Sequence, residues 1–137
     1  MRAAGIAVHR INLCPGDQLA WGFSRATNYR GQREAWPAFV HAFMERHAID
    51  AVLMHSERRP YHLEAADAAR SLGIAVCVTE LGYLRPDWMT VELNGNSTDS
   101  LFPTDPEAIR AIAAGAPQLD TTLLYPREKL LETRDDL

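Results

Sequence analysis

Acids, arginines, a histidine and aromatic residues crowd into the stretch between His55 and Asp105. Ser56-Glu57-Arg58-Arg59-Pro60-Tyr61-His62 comes first. Glu80-Leu81-Gly82-Tyr83-Leu84-Arg85-Pro86-Asp87-Trp88 and then Thr90-Val91-Glu92 follow. The first two clusters each stand just after a short apolar run, Ala51–Met54 and Ile74–Val78. In an open parallel sheet, ligands bind outside the carboxyl ends of the strands. Arginine beside tyrosine, tryptophan and carboxylates suits a sugar or a phosphorylated ligand better than it suits a protein core. The placement therefore points to part of an enzyme.

The elements that would position these residues alternate between strand and helix. Ile6 to Leu13 puts Ile6, Val8, Ile11 and Leu13 among small or polar residues and predicts a strand. Cys14-Pro15-Gly16-Asp17 breaks it, and Gln18 to Gly31 reads as a long loop carrying Trp21, Phe23 and Tyr29. Glu34 to His47 is an amphipathic helix with Trp36, Phe39, Val40 and Phe43 on its core side, and Pro37 falls in the first turn, where proline is tolerated. Ala51–Met54 is a buried strand. His62 to Leu72 is an alanine-rich helix stopped by Gly73. Ile74–Val78 is a second buried strand, unalternated as in a parallel core. Met89–Val91 adds a short strand, Ser97 to Asp105 a loop, and Pro106–Ala114 a helix with Asp105 as N-cap.

This order predicts an α/β fold with a right-handed parallel sheet and helices on both faces. Residues 1–115 form one Rossmann-like domain, and residues 116–137 a charged C-terminal tail that is either a frayed helix or disordered. Arg2-Ala3-Ala4-Gly5 reads as the last turn of a helix, so the expectation is an incomplete domain whose first strand is missing.

Bulk properties narrow the function classes. The 137 residues suffice for one domain with a core. A net charge of −4 argues against a protein built around nucleic-acid phosphates. Cys14 and Cys77 have no metal-type spacing and fit a reducing cytosol. His9, His41, His47 and His55 show no ligand spacing either, so no metal is expected. No apolar run reaches the ~20 residues of a membrane span, and His9, Arg10 and Asn12 interrupt any secretory signal. The expected location is cytoplasmic.

Arg59-Pro60-Tyr61-His62 and the segment Glu80 to Glu92 closely resemble the capsule polysaccharide biosynthesis and export family of the KpsS or LipB type. Upstream, Arg10-Ile11-Asn12-Leu13-Cys14-Pro15-Gly16-Asp17 is similar to that family's strand ending in Asn and Gly-Asp. Tyr29-Arg30-Gly31 and Trp36-Pro37-Ala38-Phe39 sit in register with it. Downstream, Gly95, Ser100, Pro103, Asp105 and Pro106 match its following loop. The resemblance runs in order over roughly residues 4 to 110, and Gly82-Tyr83-Leu84-Arg85-Pro86-Asp87 is its specific part.

The resemblance implies a glycosyltransferase of the two-domain GT-B kind, found in Gram-negative bacteria. It would transfer β-Kdo from CMP-Kdo, the donor substrate, to a lysophosphatidylglycerol-linked acceptor at the cytoplasmic face of the inner membrane. No other cofactor is implied. The chain resembles the N-terminal, acceptor-side half, and a separate nucleotide-binding half would complete it. The implied partners are the sugar nucleotide, the lipid-linked acceptor and other capsule biosynthesis and export proteins. On this reading Glu57 and Glu80 are the candidate carboxylates for nucleophilic or acid–base work. His62 is a candidate base, since an imidazole exchanges protons near neutral pH. Arg59 and Arg85 would grip a phosphate or the sugar's carboxylate. Tyr83 and Trp88 would stack on a sugar face, with Asp87, Thr90 and Glu92 lining the binding site.

Two departures count against activity. Relatives carry Gly-Asp-Cys-Arg-Pro where this chain has Ser56-Glu57-Arg58-Arg59-Pro60, and two acids before Gly-Tyr where the second is here Leu81. Displacing a carboxylate by ~1 Å can cost on the order of a hundredfold in rate. Plainer roles also stand open. Glu80 and Arg59 would pair across two loops, His62 would cap a helix, Tyr83 and Trp88 would anchor loops, and Asp87 would fix a turn. Gly82 would serve backbone geometry. Three functions compete: a glycosyltransferase module, inactive alone or not; a non-catalytic assembly piece of the capsule machinery; and an unrelated small Rossmann-like enzyme. The last is weakened by the lack of a Gly-x-Gly-x-x-Gly or Walker-type loop.

Overall fold

The structure, a computed structural model, describes residues 5–20, 22, 25–82, 88–96 and 99–117. The chain divides into two compact units, Met1–Ile49 and Asp50–Leu137. Tyr83, Arg85, Asp87, the first four residues and nearly all of the charged tail lie outside the described residues.

In the first unit, β1 (Ile11–Asn12) and β2 (Thr27–Asn28) pair in parallel, Ile11 opposite Thr27 and Asn12 opposite Asn28. The predicted strand from Ile6 to Leu13 contracts to these two residues, because β2 offers only two residues to pair with and Ile6 is left 54% exposed. The strand ends before Cys14-Pro15-Gly16-Asp17 as predicted, and Pro15 also starts helix α1 (Pro15–Ala20). Proline fits the first turn of a helix. Just before it, the Asp17 carboxylate accepts hydrogen bonds from the backbone N–H of Leu13 (2.7 Å) and Cys14 (3.0 Å). The expected loop from Gln18 to Gly31 therefore contains the end of α1 and all of β2.

A 3₁₀ turn (Arg33–Ala35) leads into α2 (Trp36–Arg46), with Pro37 in its first turn as expected. Trp36, Val40 and Met44 recur every four residues and are buried. Each is worth roughly 1.5–3 kcal/mol on burial. Buried Tyr29 joins them, its ring 5.1 Å from that of Trp36 and 4.7 Å from that of Phe39, and its hydroxyl donates to the Gln32 carbonyl at 2.6 Å. Phe39 and Phe43, expected in the core, are only half-buried.

The second unit holds β3 (Ala51–His55), α3 (Pro60–Ser71), β4 (Ala75–Leu81), β5 (Met89–Leu93) and α4 (Pro106–Gly115). β3 and β4 run parallel, from Ala51 opposite Ala75 to His55 opposite Thr79, with α3 as the crossover. This is a β–α–β unit of a Rossmann-like sheet. β5 departs from the expected all-parallel order, pairing antiparallel with β4 from Cys77–Leu93 to Leu81–Met89. The few residues between Leu81 and Met89 are too short a connection for the dozen or more that a parallel crossover needs.

Strand order is β3-β4-β5, so the α/β fold has one central strand. Met54, Val76 and Val78 are buried, as are Ala65, Ala66 and Ala69 of α3. The alanines leave room for the helix to lie close on the sheet. Gly73, at φ +71°, ends the crossover helix in a left-handed conformation that glycine adopts at little cost. The opposite sheet face is open: Leu53, Leu81, Met89, Val91 and Leu93 are each more than half exposed. Buried-strand expectations for Ala51–Met54 therefore hold only at Met54, since helix α3 covers one face alone and β3 is an edge. Asp105 caps α4 as predicted, its carboxylate accepting from the Ala108 N–H at 2.9 Å, and α4 has no buried residue.

Candidate active site

The polar cluster forms where β3 and β4 end. Ser56 extends the ladder by donating its N–H to the Thr79 carbonyl at 3.0 Å, then turns the chain through φ +60°. That left-handed residue is costly for a non-glycine. Its carbonyl oxygen lies 2.5 Å from Nδ1 of half-buried His62, in the first turn of α3. A carbonyl only accepts, so Nδ1 carries the proton and, in the neutral ring, Nε2 is left as the basic nitrogen. The helix starts at Pro60 after the extended residue Arg59, which is exposed and supplies no side-chain cap.

Glu57 is 4% exposed. Its Oε1 accepts from the backbone N–H of Asn96 at 3.3 Å, and Arg58 Nε stands 4.0 Å away. Arg58 reaches on to Asp99, with 2.8 Å between Nη2 and Oδ2. The loop after β3 is thus tied to the loop after β5. Asn96 also donates from Nδ2 to Thr90 Oγ1 (3.4 Å), and the Thr90 hydroxyl donates to the Glu80 carbonyl (3.4 Å).

Glu80 and Thr90 are register partners, as are Val78 and Glu92. Side chains alternate along a strand, so Glu80, Thr90 and Glu92 share the sheet face of Val76 and Val78. The Glu80 carboxylate is half-buried, and it forms no ion pair with Arg59, the plainer role weighed for both. Glu92 accepts a short hydrogen bond from the Ser100 hydroxyl. Leu81, the register partner of Met89, falls on the opposite, open face.

Half-buried Trp88 contributes its backbone rather than its ring to a described hydrogen bond: its carbonyl accepts from the Gly82 N–H at 2.7 Å. A Cβ on Gly82 would sit 2.5 Å from that oxygen, so backbone proximity alone demands glycine here. Asn96 thus links the Glu57 carboxylate to the Thr90 hydroxyl and, through it, to the backbone of Glu80, whereas Arg59 is exposed. Asn96 was absent from the expected site. Its one signal in the sequence is the Asn94-Gly95-Asn96 run, a turn composition whose first residue indeed adopts φ +67°. Among the described residues no three His, Cys, Asp or Glu side chains cluster to hold a metal ion, and no helix is long and apolar enough to cross a membrane.

The stretch that builds this cluster is also the stretch that known proteins share. A family model described as capsule polysaccharide biosynthesis protein matches residues 50–132, from the start of β3 through α4 and beyond. The chain belongs to the capsule polysaccharide biosynthesis protein family. Among members, the capsule polysaccharide modification protein LipB of Neisseria meningitidis serogroup A is 30% identical over 105 residues, 75% of this chain and 25% of LipB. The capsule polysaccharide export protein KpsS of Escherichia coli is 30% identical over 97 residues, 71% of this chain and 25% of KpsS. The chain thus spans about a quarter of the length of these capsule proteins. No solved structure matches it.

Proposed function

We propose that this chain supplies the acceptor-side part of a capsule-linker glycosyltransferase, which moves Kdo from CMP-Kdo to a lysophosphatidylglycerol-linked acceptor. The reading places it in the cytoplasm, peripheral to the inner membrane. The observation that carries it is the pair of acids at adjacent strand ends, one enclosed and one open, inside the segment matched by the capsule family. Glu57 is enclosed and hydrogen-bonded, which suits it to set the local field and hold the loops. Glu80 stands half-open at the end of the central strand, which suits it to meet a sugar. Retention of configuration would use such a carboxylate as nucleophile, and Nε2 of His62 would take the acceptor proton. Arg59, exposed beside them, would grip an anionic group, with Arg85, Tyr83, Trp88 and Asp87 completing the binding surface. Titration calorimetry of the chain with lysophosphatidylglycerol below its micelle concentration tests this reading. Saturable binding that Glu80→Gln or Arg59→Gln weakens severalfold is expected; absence of binding by the unaltered chain would sink it.

A second reading, an assembly piece of the capsule machinery, is favoured by the open face of Leu53, Leu81, Met89, Val91 and Leu93. Contiguous apolar surface of this kind marks interfaces. Sedimentation of the chain should then reveal association that Val91→Lys removes. A strict monomer at high concentration argues against it.

A further inference from the structure

Two apolar surfaces of the second unit are left in water. The first is the open sheet face, where Val91 is 63% exposed. Strand alternation puts no Asp, Glu, Lys or Arg of β3, β4 or β5 on that side. The second is helix α4, which has no buried residue and, among the described residues, packs against no other strand or helix. Ile109 and Ile112 stand three positions apart and so share one side of it, 37% and 51% exposed. Glu107 and Arg110 lie away from that stripe, as in a helix built to cover an apolar surface. Leu101 and Phe102, just before the helix, are exposed as well.

The two surfaces match in size. The ten residues of α4 make a rod of ~15 Å, and the five-residue strands β3 and β5 are each ~17 Å long. The chain that joins sheet and helix, however, is fastened to the side already covered by α3. Asn96 is bonded to Glu57, Asp99 to Arg58 and Ser100 to Glu92, and Glu92 shares the face of Val76 and Val78. Leu101 to Asp105 is all that remains before α4 begins, a reach of at most about 17 Å when extended. That reach would have to round the β5 edge and cross the thickness of the sheet before the helix started. No such limit applies to the same face on another molecule.

We propose that α4 of one copy docks on the open sheet face of a second copy, and that the exchange is reciprocal. Ile109 and Ile112 lie over Leu53, Val91 and Leu93, and two identical helix–sheet contacts close a two-fold dimer, with no unpaired contact left to extend it. A second copy is the partner that fits, because the chain itself carries the helix that the face lacks. The inference rests on the assembly reading and names the occupant of the face on which that reading stands. In dilute solution the copies separate and α4 is free.

Sedimentation velocity of the full chain over a concentration series tests it. Val91→Lys blocks the face and spares the helix, whereas Ile112→Lys blocks the helix and spares the face. Both residues are more than half exposed, so both variants should fold. The unaltered chain should dimerise, and each variant alone should stay monomeric. An equimolar mixture of the two variants should associate again, because the intact helix of one still meets the intact face of the other. With one contact in place of two, the mixture should need roughly tenfold or more higher concentration than the unaltered chain. Association that survives Ile112→Lys but not Val91→Lys would overturn the proposal and leave the assembly reading standing, as would a mixture that never associates. A strictly monomeric unaltered chain would overturn both.

Discussion

Glu57, just past β3, and Glu80, near the end of β4, are the same residue type, yet burial separates their work. Removing the Glu57 side chain takes away the carboxylate that accepts from the buried Asn96 N–H, and a hydrogen bond to a charged group contributes roughly 1.5–3 kcal/mol. Glu57→Ala is therefore expected to lower the unfolding free energy, measured by urea denaturation, by that amount. Glu80→Gln should leave stability within about 0.5 kcal/mol, as surface changes do, while weakening acceptor binding. Equal stability losses in the two variants would refute this division. Gly82 supplies a sharper steric case. A methyl there must displace the Trp88 carbonyl, and overpacking of this kind costs ~1–3 kcal/mol. Thermal unfolding of Gly82→Ala should show the loss, and an unchanged midpoint would mean that the β4–β5 connection yields. At this scale the sequence was partly legible. The acids, the glycine and His62 announce themselves by type and position, but nothing in the order of residues tells that Glu57 is enclosed, because enclosure comes from Asn96 nearly forty positions away.

Among the elements, those with a strong local signal were the readable ones. α3 follows from its alanine run and Gly73, and α4 from Asp105 and the proline after it. Asp105→Ala should raise amide hydrogen exchange at Ala108 and Ile109 and reduce helix content, by ~0.5–2 kcal/mol of local stability. Because α4 has no buried residue, the global unfolding midpoint should barely move. A large global shift would show that α4 packs on the rest of its unit. The two-residue strands β1 and β2 were illegible for a physical reason: their identity lies in the partner they meet, not in their own periodicity. The direction of β5 was missed because an apolar triplet does not carry an orientation, although the shortness of its connection does.

For the whole molecule, the α/β class follows from the alternation of apolar runs and amphipathic helices, and the capsule family from the ordered motifs around Glu80. An exposed apolar face belongs to the assembly-piece reading, but its place on the sheet was not legible, since Leu53, Val91 and Leu93 look like core residues in any linear reading.

The antiparallel return of β5 also has a kinetic side. β5 meets β4 across a short connection, whereas β3 must find β4 across the whole of α3. Closing the shorter loop costs less entropy, so the hairpin should form before the parallel edge. Conservative truncations are then expected to show it: Thr90→Ser should slow folding in proportion to its destabilisation, and Met54→Ala should mainly speed unfolding. The reverse pattern would place the parallel pair first. If the hairpin leads, Asn96 is already in place when β3 arrives, and Glu57 is sealed in by the final docking event. The enclosed acid then reports on completed assembly, and a chain that stalls before that step leaves its carboxylate in water.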